Sequence, residues 1–361
     1  MTDARVIVVG AGVMGAATAW QLGRRGIPTI LLEQFRVGHD RGASHGTSRN
    51  FNVSYGDAGY LAWLREARVL WRVLEHEVRA PLITRTGIVS HGSGLDLVAL
   101  TTAVRAGGFD ARLLDVREAQ RRWPGFRFET PVLHTPEAGR IDADAAVRGF
   151  VAAARATAVE VREGVRVASV SADERGASVV LRDEEGERTL TAERVVVTAG
   201  AWTRGLLPES IALPPLRVTQ EQPAFFAPIA PAEETWPGFN HIADSSGETG
   251  WFPTGVYGMA TPGLGIKAGW HAAGPVVDPD ERSFVPDPSL TEALRRYARE
   301  WLPGVDADRF SEVTCTYTST PDASFVLERF DRVVVGAGFS GHGFKFAPVI
   351  GRILADLAEL G

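Results

Sequence analysis

Apolar positions along the chain recur at two periods, and the switches between them mark out the elements. Residues 5–9 form a short apolar run of strand type, followed by Gly10-Ala11-Gly12-Val13-Met14-Gly15 and a helical pattern as far as Arg24. Gly26 closes that helix and 28–33 supplies a second strand. Leu61, Leu64, Leu70, Trp71 and Leu74 return at helical spacing and predict an amphipathic helix over 58–77, ending before Pro81. Asp142 is placed to cap an alanine-rich helix over 143–157, and further helices are predicted near 289–302 and over 346–360. Alternating runs at 165–171 and 177–182, set around polar turns, predict a meander. A buried-type strand over 194–198 leads into Ala199-Gly200-Ala201-Trp202, and a strand over 332–335 opens the glycine loop 336–343. Residues 82–140 mix short apolar runs with Gly and Pro, as an inserted sheet layer would, and 205–310 is rich in Pro, Gly and aromatics.

That order predicts an α/β chain of two domains, which 361 residues can support. A Rossmann-like nucleotide-binding domain would be assembled from 1–81, 141–215 and 320–361. Residues 82–140 and 216–319 would form a mostly antiparallel β-sheet domain for the substrate. The uncharged stretch over 6–23 is not a membrane span or a signal segment: Gly10, Gly12 and Gly15 break it and no basic region precedes it. A soluble, cytoplasmic protein is expected.

Composition narrows the chemistry. A formal net charge of −6 argues against a nucleic-acid partner, and one cysteine excludes a disulfide framework. The eight histidines show no ligand spacing with Asp, Glu or Cys, so no metal is expected, and no nucleophile-elbow motif supports hydrolysis. Gly10-x-Gly12-x-x-Gly15 between strand and helix, with Glu33 ending the next strand, is a dinucleotide fingerprint. The glycines let backbone approach a pyrophosphate at the helix N-terminus, and Glu33 would accept from a ribose diol. By itself it does not separate FAD from NAD. The segment Thr191 to Gly200 resembles the late strand and turn that cross the FAD site in many two-domain flavoproteins.

The last fifty residues carry more. Cys315-Thr-Tyr317-Thr-Ser-Thr-Pro321-Asp322 and Gly336-Ala-Gly-Phe-Ser-Gly-His342-Gly-Phe-Lys345-Phe resemble the family of monomeric sarcosine oxidase and N-methyltryptophan oxidase. These are FAD-dependent amine oxidases of the D-amino-acid-oxidase-like superfamily. The likeness extends to Gly42-Ala-Ser-His-Gly-Thr-Ser-Arg49, Tyr55-Gly56 and Gly265-Ile-Lys267-Ala-Gly-Trp-His271, in the family's order along the whole chain. Residue usage supports it independently. Among 38 basic residues only Lys267 and Lys345 are lysine, and both, with the sole cysteine, fall on these motifs.

The resemblance implies a two-domain flavoprotein and gives each residue a task. Cys315 would bond covalently to the flavin, and Lys267 would sit over the flavin face opposite the substrate, easing electron transfer to dioxygen. Lys345 would grip the substrate carboxylate, while Tyr257, His271 and Tyr317 would line an apolar cage for a neutral amine, and Arg49 would lie beside the flavin. Cofactor contacts are expected from Gly10, Gly12, Val13, Met14, Gly15, Glu33, Gln34, Ser44, Ser48, Arg49, Val167, Gly200, Trp202, Cys315, Gly341, Gly343, Phe344 and Lys345. The implied reaction moves hydride from the carbon beside nitrogen to flavin, leaves an imine, and reduces molecular oxygen to hydrogen peroxide. The substrate would be a small secondary or cyclic amine or amino-acid derivative, and the enzyme a monomer. One position departs: where the family usually has a second arginine, three residues after Arg49, this chain has Asn52. A neutral amide cannot replace a bidentate guanidinium grip on carboxylate, which points to an unusual amine or amino-acid derivative. Rival readings are a flavin dehydrogenase passing electrons to a carrier, a nicotinamide-dependent dehydrogenase, and a non-catalytic flavoprotein.

Overall fold

The N-terminal apolar run forms the strand Ala4–Val9, which lies inside a parallel sheet. Thr29–Glu33 and then Val159–Glu163 continue the sheet on one side. On the other side the end of Gly186–Val197 is followed by Val333–Ala337, with Val326–Phe330 as an antiparallel edge. The structure, a computed structural model, describes residues 2–183, 186–230, 235–244 and 249–359. Strands buried on both faces read as continuous apolar runs, which is why 5–9, 28–33 and 332–335 were visible in the sequence. The strand expected at 194–198 begins earlier, because the exposed polar half of Gly186–Val197 pairs with Gly176–Asp183, and that strand with Arg166–Asp173, as the predicted meander.

Helices Val13–Arg24, Ala143–Arg155 and Ala347–Glu359 pack beside this sheet through Ala16, Trp20, Phe150, Ile350 and Leu354. Ala58–Val78 joins them through Leu61, Leu64, Trp71 and Leu74, and ends at Arg79 in the left-handed conformation, just before Pro81. The expected cap holds: the Asp142 side chain accepts from the Ala145 N–H. The last helix starts later than its pattern suggested, since Phe344–Phe346 forms a 3-10 turn first, and its predicted end at Leu360 lies outside the described residues.

A second large sheet draws its strands from two distant stretches. Its order is Val305–Glu312, Ala224–Pro228, Gly265–Trp270, Val256–Thr261, Gly238–His241, Ile88–His91, Val132–Thr135 and Arg112–Leu114. All neighbours are antiparallel except Gly238–His241 with Ile88–His91. Alternation gives it two unlike faces. Val89, Phe239, Val256, Ile266 and Ala268 pack with Leu294, Tyr297 and Trp301 of helix Pro288–Trp301. Ser90, Asn240, Tyr257 and Lys267 point the other way, into a cavity. The inserted stretch also holds helices Leu97–Ala106 and Val116–Arg122, capped by Asp96 and Asp115 and too short to show a helical period. Among the described residues, no helix is long and apolar enough to cross a membrane.

Candidate active site

One cavity of about 880 Å³ runs from the first glycine turn to the face of the second sheet. At its nucleotide end, Gly10 takes a φ of 95° and Gly12 starts helix Val13–Arg24 without a side-chain cap. A Cβ at Gly15 would lie 1.8 Å from the Gly10 carbonyl oxygen and 2.5 Å from Thr198 Oγ1, so only glycine lets the helix approach the strand this closely. The Val13 N–H donates to Ser44 Oγ (3.0 Å), which ties the 42–49 loop to the turn. Glu33 is 4% exposed and braces both sides of the site. It accepts from the Ala11 N–H at Oε2 and from the Phe35 N–H at Oε1, each at 2.9 Å. Gln34, Val167, Gly200 and Trp202 continue this wall, and Trp202 Nε1 donates to Asp280.

The middle of the cavity is built by the second sheet and by strand Cys315–Ser319. Tyr257 faces Asn240 on one neighbouring strand and Gly269 on the other; Met259 faces Lys267. Lys267 is buried, with Nζ 3.4 Å from the Ser48 carbonyl oxygen and 5.6 Å from the Phe225 ring centre. Burial, with Arg49 adding to it, holds its ammonium down to about 7. Cys315 is buried as well. Burial pushes its thiol up, while Arg49 and Lys267 pull the other way. His271 stands 5.4 Å from the Tyr317 ring and 6.4 Å from that of Tyr257. Burial raises both phenols and lowers the imidazole, so the three present neutral faces.

Arg49 closes the cavity from the loop side. Its guanidinium donates to the carbonyl oxygens of Ala43, His45 and Ser48 and lies 5.7 Å from the Phe344 ring centre. The segment 338–343 turns sharply, with positive φ at Gly338, Ser340 and Gly341, and leads into the 3-10 turn that carries Lys345. A Cβ at Gly341 would meet the Tyr317 ring at 2.1 Å. Lys345 Nζ donates to Tyr55 Oη (2.9 Å) and to the His342 carbonyl oxygen (2.6 Å), and burial holds it down to about 7.

The structure therefore gathers the predicted site residues onto one wall, with two exceptions. Gly15 and Ser48 stand behind it: Gly15 packs helix on strand, and Ser48 bonds Thr261 through its hydroxyl and Lys267 through its carbonyl. Other lining residues escaped the sequence. Ser90 and Asn240 meet only through a pairing of distant strands, and a polar residue amid a short apolar run was their one signal. Glu221 does not line the cavity and left no signal at all; it pairs opposite Cys315 and accepts from the Ala273 and Gly274 N–H groups (3.2 Å each), holding the turn after His271.

Known proteins resemble this chain over nearly its whole length. Residues 5–357 match the family model for the DAO group, FAD dependent oxidoreductase. Monomeric sarcosine oxidase of Bacillus sp. (strain B-0618) is 30% identical over 99% of this chain and 92% of its own length. Peroxisomal sarcosine oxidase of Homo sapiens is 32% identical over 98% and 91%. Among solved structures, the open form of NikD, an unusual amino acid oxidase essential for nikkomycin biosynthesis, superposes with a TM-score of 0.85. It is 26% identical, and the match covers 100% of this chain and 95% of that one. The chain belongs to the DAO family of FAD-dependent oxidoreductases.

Proposed function

We infer that this protein is an oxidase of secondary or cyclic amines, or of amino-acid derivatives, that forms an imine and releases hydrogen peroxide. One observation carries the reading. The chain's two lysines and its one cysteine, separate in sequence, are all buried and all line the same cavity. The residues present fit FAD. The Gly10 turn brings the start of helix Val13–Arg24 to the cavity, where the Gly12 backbone and the helix N-terminus face a pyrophosphate, and the Glu33 carboxylate stands ready for a ribose diol. Loop 338–343 and Arg49 would hold the ring system, with Cys315 as its point of covalent attachment. In this reading 1–81, 141–215 and 320–361 form the FAD-binding domain, and 82–140 with 216–319 the substrate domain.

Bound FAD supplies the two-electron acceptor that takes a hydride from the carbon beside nitrogen and hands the electrons to dioxygen. The chain's residues arrange the rest. Tyr257, His271 and Tyr317 make a neutral, dry cage in which an ammonium is disfavoured, so the amine binds with its lone pair free. Lys345 offers its remaining N–H to the substrate on the Tyr55 side. Lys267 holds a proton at Nζ where negative charge develops during oxygen reduction. The purified protein is expected to be yellow, to keep its colour in the pellet after acid precipitation, and to form peroxide with a secondary amine. Colour released from the pellet would remove Cys315 as the attachment point. Peroxide absent across a broad amine panel would overturn the oxidase reading.

A further inference from the structure

The substrate end of the cavity has a neutral polar wall built from two alternating segments. After Arg49 the chain is extended, and Phe51 and Val53 are 1% and 0% exposed on one face. Asn50, Asn52 and Ser54 therefore share the other face, which lines the cavity. Opposite them, Ser90 and Asn240 stand side by side in parallel register, while His91 and His241 face the far side of the sheet.

Hydrogen bonds join the two rows. Asn240 Nδ2 donates to Ser90 Oγ (3.2 Å), Ser90 Oγ donates to Ser54 Oγ (3.4 Å), and the Ser54 N–H donates to Asn52 Oδ1 (3.0 Å). Asn50 Nδ2 is turned to the Gly258 carbonyl oxygen (3.3 Å). This wiring fixes what a ligand meets. Asn52 is left with its NH2, Ser54 with its hydroxyl proton, and Asn240 with its carbonyl oxygen and its second N–H. No arginine, lysine, aspartate or glutamate bonds any of these side chains among the described residues.

We propose that this wall recognises an uncharged carboxamide arm, so that the substrate is an N-alkylated amino-acid amide rather than a free amino acid. The inference rests on the amine-oxidase reading. A carboxamide carries a carbonyl for the Asn52 and Ser54 donors and an NH2 for Asn240 Oδ1. A carboxylate carries acceptors alone, so it leaves the Asn240 oxygen without a donor. Its charge would also leave water for a wall that no side-chain cation bonds, the Lys345 ammonium standing beyond Tyr55 and already donating to Tyr55 and His342. An alcohol has donor and acceptor on a single atom and cannot span the two rows.

The test separates binding from turnover. Methoxyacetamide and methoxyacetate copy sarcosinamide and sarcosine with an unreactive oxygen in place of nitrogen. Titration calorimetry on the holoenzyme is expected to show the amide binding about tenfold tighter or more. Ser54→Ala should reduce that preference about fivefold, and Asn52→Arg should reverse it. If Asn52→Arg does not fold, Ser54→Ala and the unaltered protein still decide. Equal binding, tighter binding of the acid, or no binding of either overturns the proposal. Anaerobic bleaching of the flavin reads the other premise. Faster bleaching by sarcosine than by sarcosinamide refutes the amide wall and leaves the oxidase standing, whereas no bleaching by any secondary amine removes the oxidase reading itself.

Discussion

A lysine out of water is held only where something favours its charge, and Lys267 has little in the protein alone: one carbonyl oxygen at 3.4 Å, the face of Phe225, and the pull of Cys315 and Asp144 against burial and a repelling Arg49. A buried ammonium with so few partners stabilises a negative charge arising beside it more than a solvated one could. Replacement of Lys267 by Met is therefore expected to slow reoxidation of the flavin by dioxygen about a hundredfold or more, while its reduction by amine changes less than about threefold. Stopped-flow measurement of the two half-reactions separates them. Equal reoxidation rates in both proteins would instead favour a dehydrogenase that passes electrons to a carrier. Lys345 makes the contrast clear, since it already satisfies Tyr55 and His342 and is turned to the substrate side.

Among elements, the strand–turn–helix at the start of the chain is the most constrained. Gly15→Ala puts a methyl 1.8 Å from a backbone oxygen that cannot move without opening the Gly10 turn. The expected result is a loss of stability of about 2 kcal/mol or more, together with a lower FAD content per chain, read from thermal unfolding and the visible spectrum. A variant that keeps full FAD and an unchanged midpoint would refute this account of the turn. That element was legible in the sequence because its signals are local: an apolar run, three spaced glycines and a helical period. The cap at Asp142 was legible for the same reason; Asp57 and Asp287, which the sequence reading did not single out, cap the helices that follow them in the same way. The far wall of the cavity was not. Ser90 meets Asn240 only once distant strands have paired, and no window of sequence contains both partners; Glu221, which holds the turn after His271, meets Cys315 in the same way. Lys345 and Cys315 stood out by residue usage and resemblance, not by any pattern that places them in space.

Across the whole molecule, the second sheet carries the cavity on one face and an acid-sensitive core on the other. On the strands that present Ser90 and Asn240, the next residues are His91 and His241, whose rings stack at 4.1 Å and 26° on the opposite face. His241 Nδ1 lies 3.3 Å from Tyr297 Oη, and His91 Nε2 is buried without a partner. Burial holds His241 down to about 3 and drives His91 well below the ordinary imidazole value of 6.5. In the unfolded chain both rings titrate near 6.5, so below that pH the unfolded state binds more protons. The stability present above 6.5 is then lost as pH falls toward the folded values. At pH 5 His241 alone costs roughly 2 kcal/mol, and His91 adds in the same direction. The thermal midpoint of the holoenzyme should accordingly drop by a few degrees or more between pH 7.5 and pH 5. His91→Leu combined with His241→Leu should flatten that drop, whatever its effect at pH 7.5. His45, His134 and His342, each lowered to about 4, retain a residual slope in the double variant. An unchanged slope would mean that the stacked pair does not set the acid limit.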